Sequence, residues 1–143
     1  MTVPITTPPP NGLTARPLSM DDVAAVTGLL AAWERVEPVD QNYSETDIRE
    51  EFAAPHAALD GGGVAVQDGD RVVAYGLLHV IAREPEWVAF ADGGVRPEMH
   101  RRGIGRWVLD RQIEQARRLS AVQSPGRPVE LRVGVGETRT GTQ

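Results

Sequence analysis

Val95-Arg96-Pro97-Glu98-Met99-His100-Arg101-Arg102-Gly103-Ile104-Gly105-Arg106 stands between a strand pattern that runs to Gly94 and a helix pattern that begins at Gly103. Pro97 cannot donate to a ladder and so stops the strand. Gly103 and Gly105 allow a tight turn and place no Cβ between their N–H groups and a ligand. Those N–H groups open a helix, where unpaired donors and the positive end of the dipole favour an anion. Arginines on either side supply countercharge, so the segment has the makings of a pyrophosphate cradle. A dinucleotide fingerprint would want a third glycine near position 108, which is Val108. A P-loop would need a lysine, and the chain has none. The remaining alternative is an ordinary strand–helix turn that happens to be rich in glycine.

Upstream, Trp87 to Gly94 reads as a strand, and Val64 to Gln67 and Arg71 to Ile81 form a hairpin across Asp68-Gly69. Before them lie two helices. Ser19 caps the first, with Asp22 as its capping-box partner, and Val23, Val26, Leu30 and Trp33 form its apolar stripe. Ser44 caps the second, with Asp47 at the box position and Ile48 and Phe52 paired at i, i+4. Leu13 to Pro17 is a short first strand, and Met1 to Gly12, with four prolines, reads as a flexible or polyproline-like tail. Downstream, Gly103 to Leu119 is a helix with Leu109, Ile113 and Ala116 as its stripe. Val129 to Val135 alternates as a last strand. The expected order is β–α–α–β–β–β–α–β, an α/β domain over residues 13–143.

Composition closes off several classes. The 143 residues suit one domain, and no apolar run approaches a membrane span. The absence of cysteine excludes disulfides, thiolate nucleophiles and iron–sulfur clusters. A net charge of −5 argues against general nucleic-acid binding. With no signal-peptide pattern in Met1 to Gly12, a cytoplasmic location is expected. The charge is polarised: Arg96 to Arg118 holds seven arginines against three carboxylates, whereas Glu34 to Asp60 holds eight carboxylates against two arginines.

Val95-x-Pro97-x-x-His100-Arg101-Arg102-Gly103-Ile104-Gly105 resembles the acetyl-CoA signature of the GCN5-related N-acetyltransferases, V-x-P-x-x-[RQ]-x-x-G-x-[GA]. The element order fits that family over roughly residues 13–136. His100 departs from the pattern, standing where Arg or Gln is usual. The resemblance implies a mixed, mostly antiparallel sheet flanked by helices, with the strand ending at Val95 splayed from Val129 to Val135. Pantetheine would lie in that gap, with Val95 bonding its amide and helping to polarise the thioester. His100, Arg101, Arg102, Gly103, Ile104, Gly105 and Arg106 would take the phosphates. The expected activity is direct transfer of an acetyl group from acetyl-CoA to a small-molecule amine, without a metal.

Transfer to an amine also needs a base. Asp92 is the candidate nearest the splay point, although an Asx residue beside Gly93 fits a turn equally well. Glu84, Glu86 and His79 are further candidates, and His56 carries no signal of its own. The family's usual acid is a tyrosine after the fifth strand; the chain's tyrosines are Tyr43 and Tyr75, and neither lies there. The family's last strands are likewise expected to be missing, which leaves an apolar edge suited to self-association. The rival reading is a silent acyl-CoA-binding module, or one half of a tandem acetyltransferase such as mycothiol synthase. The acidic stretch from Glu34 to Asp60 would line the acceptor entrance and favour a cationic amine.

Overall fold

The computed structural model describes residues 7–36 and 43–133. Both capping boxes form. Ser19 N–H donates to Asp22 Oδ2 at 2.9 Å, and Asp21 N–H donates to Ser19 Oγ at 3.2 Å. They close a 3₁₀ turn (Met20–Asp22) that runs straight into helix α1 (Val23–Val36). Ser44 and Asp47 exchange the equivalent bonds at 3.0 and 3.1 Å at the start of α2 (Glu45–Ala53).

Five strands make one sheet in the order of the sequence: β1 (Thr14–Arg16), β2 (Gly63–Asp68), β3 (Arg71–Ala82), β4 (Trp87–Val95) and β5 (Val129–Val133). β1 to β4 pair antiparallel, and β5 pairs parallel to β4 from Trp87↔Val129 to Ala91↔Val133. That parallel step needs a crossover, which α3 (Ile104–Gln123) supplies. Gly134 and Val135, expected to continue the last strand, lie outside the described residues, as do residues 37–42 of the acidic link.

Side-chain alternation along the strands builds two cores. On one face α1 and α2 bury Val26, Leu29, Trp33, Ile48 and Phe52 against Ala65, Tyr75 and Leu77. The expected α1 stripe is buried at all four positions. On the other face α3 packs Ile104 and Val108 against Val64, Ala74 and Val95, and Ala116 and Leu119 against Leu78, Trp87 and Ala91. Here the sequence reading is corrected in register. Leu109 and Ile113 are only half-buried, and Gln112 and Gln115 take the buried positions instead. Their amides meet backbone carbonyls, Gln112 Nε2 on Asp92 O at 2.8 Å and Gln115 Nε2 on Gly63 O at 3.2 Å. A periodicity that counts only apolar residues misses such a face.

The described part of the proline-rich stretch makes specific contacts. Trp107 Nε1 donates to Thr7 O at 3.1 Å, and Asn11 Nδ2 donates to Arg102 O at 2.9 Å. Thr7 and Asn11, in the stretch expected as a flexible or polyproline-like tail, thus touch the turn before α3 and its first turn.

Candidate active site

β4 ends at Val95, a 3₁₀ turn follows (Pro97–Met99), and Gly103 at φ 81° opens α3. The left-handed conformation at Gly103 swings the chain so that the helix axis starts abruptly. Trp107 N–H closes the first turn onto Gly103 O at 3.1 Å. The N–H groups of Ile104, Gly105 and Arg106 precede any intrahelical acceptor and form the donor end of the helix. An added Cβ at Gly103 would find only Pro10 Cγ, at 3.9 Å, among the described residues, so the space above the turn is open to them.

The arginine-rich segment is less available than its charge suggests. Arg96 is held by Glu98 at 3.1 Å, Arg106 by Asp110 at 3.0 Å, and buried Arg111 lies 3.6 Å from Glu114. Arg101, itself at φ 63°, and Arg102 are exposed and make no side-chain ion pair among the described residues. His100 is turned inward, its ring edge-on to Trp33 with centroids 5.8 Å apart. Its Nε2 is buried without a hydrogen-bond partner among the described residues.

Beside this turn runs a narrow cleft lined by β4 from Ala91 to Val95, by Gly105, Val108 and Leu109 of α3, and by Val133 of β5. Arg96 N–H donates to Val73 O at 2.8 Å, which makes Ala74↔Val95 a non-hydrogen-bonded pair. By the same alternation, Val95 and Gly93 direct their N–H groups away from β3, toward the side where β5 lies. The carbonyl of Val95 accepts a short hydrogen bond from Trp33 Nε1, so α1 is tied directly to the cleft. Close approach of β3 and β4 requires Gly93: a Cβ there would stand 2.5 Å from Tyr75 O.

The face of β4 that carries α1 and α2 holds titratable groups. Asp92 Oδ2 lies 3.9 Å from His79 Nε2, and Glu51 Oε1 of α2 lies 3.7 Å from the same nitrogen. The loop after α2 takes up the side of β3 beyond the end of its pairing with β2, through an Ala57↔His79 bridge, which sets the His56 ring 5.1 Å from that of His79. Burial is the main cause that lowers the His79 pKa; Asp92 opposes it and His56 adds to it. Glu84 and Glu86 flank the cis peptide before Pro85, in the turn that opens β4. Eight strand residues, about 27 Å of extended chain, separate that turn from Val95, and neither carboxylate joins the cluster.

The donor atoms of Glu51, His79 and Asp92 all lie within 4.8 Å of one another. Ligands on one ion at bonds of about 2.0–2.6 Å stand roughly 3.3–4.2 Å apart, so the observed 3.7 and 3.9 Å separations are of the size that a shared metal ion would span. Glu51 and Gln112 were not singled out from the sequence, and Trp33 was read only as part of the α1 stripe. A capped helix beside an acidic link was the available hint for Glu51; nothing local distinguishes the other two.

A model of the acetyltransferase (GNAT) family matches residues 27–124. Among solved structures, the chain is similar to yncA of Salmonella typhimurium, solved with its cofactor acetyl-CoA, at 21% identity and TM-score 0.60. That match covers 76% of this chain and 65% of the other, so the chain spans less than two thirds of that protein. A GCN5-related N-acetyltransferase from Sphaerobacter thermophilus aligns at 20% identity and TM-score 0.68, over 92% of this chain and 41% of the other. An aminoglycoside acetyltransferase, meta-AAC0020 from an uncultured soil metagenomic sample, solved with sisomicin, aligns at 14% identity and TM-score 0.59, over 88% and 79%. A comparison with curated proteins gives no match. No helix among the described residues is long and apolar enough to cross a membrane.

Proposed function

The chain belongs to the acetyltransferase (GNAT) family, and on that premise we propose that it binds acetyl-CoA along β4 and α3 and passes the acetyl group directly to the amine of a small molecule. One observation carries the reading: the open donor end of α3 at Gly103 lies beside a cleft toward which β4 directs backbone N–H groups of Gly93 and Val95, away from β3. Pyrophosphate would meet the N–H groups of Ile104, Gly105 and Arg106, with Arg101 and Arg102 as countercharge. Arg106 is shared with Asp110, so its contribution is through the backbone. Val95 and Gly93 would hold pantetheine and polarise the thioester carbonyl, donors fixed by the sheet before the substrate arrives. His100, packed on Trp33, would shape the wall of the site and leave the phosphates to the arginines. Asp92 stands on the acceptor face of β4, directly before Gly93.

Two comparisons support the substrates proposed. The yncA structure holds acetyl-CoA, and meta-AAC0020 holds an aminoglycoside. The test is calorimetric titration with acetyl-CoA and with CoA, followed by thiol release over a panel of primary amines. Micromolar binding and amine-dependent thiol release are expected. No binding at millimolar acetyl-CoA would overturn the reading, and tight binding without release to any amine would make the chain an acyl-CoA-binding module.

A further inference from the structure

A second cavity lies beside α3, bounded by the turn after β1, by residues 59–63 and by one side of that helix; its volume is about 320 Å³. Arg111 and Gln115, one helical turn apart, share its wall. Gln112 lines the cleft beside β4 instead, and the two spaces have no lining residue in common. The helix divides them.

One side of the cavity is apolar. Leu18 is buried there, and Met20 and Leu59 are half-buried and pack against the same cluster. A Cβ at Gly63 would stand 2.9 Å from Leu18 Cβ, so the chain closes on the turn after β1 only because that position is glycine. The other side is polar. The Arg111 side chain is only 6% exposed, with Nη1 3.6 Å from Glu114 Oε1. A guanidinium holds five N–H donors in one plane, so it can serve the protein on one edge and a ligand carboxylate on another. Ser19 Oγ accepts from Asp21 N–H, and its own hydroxyl hydrogen can rotate to donate. Asp60, of opposite charge to Arg111, stands exposed where it lines the cavity. Gln115 is buried; its Nε2 donates to Gly63 O at 3.2 Å, whereas Oε1 has no hydrogen-bond partner among the described residues. A buried acceptor left unmatched is costly, and a ligand N–H would relieve it.

We propose that this cavity is a binding site for a free α-amino acid with an apolar side chain. The carboxylate meets Arg111 and the Ser19 hydroxyl, the ammonium meets Asp60 and Gln115 Oε1, and the side chain rests on Leu18, Met20 and Leu59. Charge balance selects the class. Arg111 and Asp60 are matched together by a zwitterion, whereas Asp60 repels a phosphate dianion and Arg111 repels a simple amine. A volume of about 320 Å³ is at the lower end for ligand pockets, which suits a molecule of this size better than a nucleotide. No residue of the site belongs to the CoA cradle or its cleft, so it stands whether or not acetyl-CoA binds.

The chain has three methionines, Met1, Met20 and Met99, so methyl-labelled protein gives three NMR signals, and Met20→Leu assigns the one in the cavity wall. L-Leucine should shift the Met20 methyl saturably, with a Kd of about 1 mM or lower. Leucine methyl ester, which lacks the carboxylate, should give no shift. 4-Methylpentanoate, which lacks the ammonium, should bind about tenfold more weakly than leucine. Arg111→Leu should abolish the leucine response, with an unchanged Met99 signal reporting an intact fold. Asp60→Asn, at an exposed position, keeps the test open if Arg111→Leu does not fold: it should bring leucine down to the affinity of 4-methylpentanoate. No saturable shift in the wild type, or a leucine response that survives in folded Arg111→Leu, overturns the proposal. Equal affinity of the wild type for leucine and 4-methylpentanoate, or for leucine and its ester, does the same, as does full leucine affinity in Asp60→Asn.

Discussion

Replacing Gly103 separates backbone strain from ligand contact. Its φ of 81° lies in the left-handed region, where a residue with a Cβ costs about 1–2 kcal/mol. That strain is present in the free and the bound protein alike, so it lowers stability and cancels from the affinity. Within the protein the new Cβ meets nothing closer than Pro10 Cγ at 3.9 Å, so no packing clash adds to it. The affinity change therefore reports whether a ligand approaches that backbone. Hydrogen bonds to a charged group are worth about 1.5–3 kcal/mol each, and losing one raises Kd roughly tenfold to a hundredfold. Gly103→Val should lose at least one. Gly126, at φ 75° after α3 with nothing within 4 Å of an added Cβ among the described residues, provides the control: Gly126→Val carries similar strain away from the turn. Thermal unfolding should show a comparable loss for both variants, and calorimetry with CoA should show a loss only for Gly103→Val. Equal CoA affinity in the two variants would refute the cradle.

Three further outcomes follow from the geometry. Burial alone would raise the Asp22 pKa, but Arg16, at 2.7 and 2.9 Å, and Ser19 hold it below the usual carboxylate range. Its contribution to stability is then present above about pH 3.9 and lost as the pH falls through the lower, folded value, so Asp22→Asn should flatten the acid side of a Tm–pH curve. Gly93→Ala, whose Cβ would stand 2.5 Å from Tyr75 O, should cost about 1–3 kcal/mol in urea unfolding, and wild-type stability would show that β3 and β4 can separate there freely. β5 is paired on one side among the described residues, with Val129 48% exposed, so sedimentation at high concentration should detect association that Val129→Lys reduces; a monomer throughout would count against it.

The local chemistry of the fold was legible. Ser19 with Asp22 and Ser44 with Asp47 announce two helix starts because capping boxes are complete within four residues. Asp68-Gly69 marks the β2–β3 turn because Gly69 takes φ 63°, a conformation few other residues accept. Helix ends were less so. α3 runs on past Leu119 to Gln123 because tertiary bonds hold its last turn, Trp87 Nε1 to Gln123 Oε1 at 2.9 Å and Ser124 Oγ to Arg83 O at 2.9 Å. Neither partner can be chosen from spacing alone. The same distinction divides the candidate site. The phosphate side is one continuous segment, so its donors, turn and arginines are read together. The ion pairs that withdraw Arg96 and Arg106 from it use acids two and four residues away, and could have been read as well.

The acceptor side has no such segment. Glu51, His79 and Asp92 are joined only after the loop behind α2 pairs with the edge of β3 and β3 pairs with β4. Asp92 drew attention because it lies near the signature; Glu51 and His79, which come from α2 and β3, are brought to it only by the fold. This cluster is thus a product of the assembled sheet face, whereas the proposed pyrophosphate cradle is a stretch of a dozen consecutive residues. Substitutions that loosen α2 or the 54–58 loop should therefore disturb the cluster while leaving CoA affinity, which the proposal assigns to β4 and α3, unchanged.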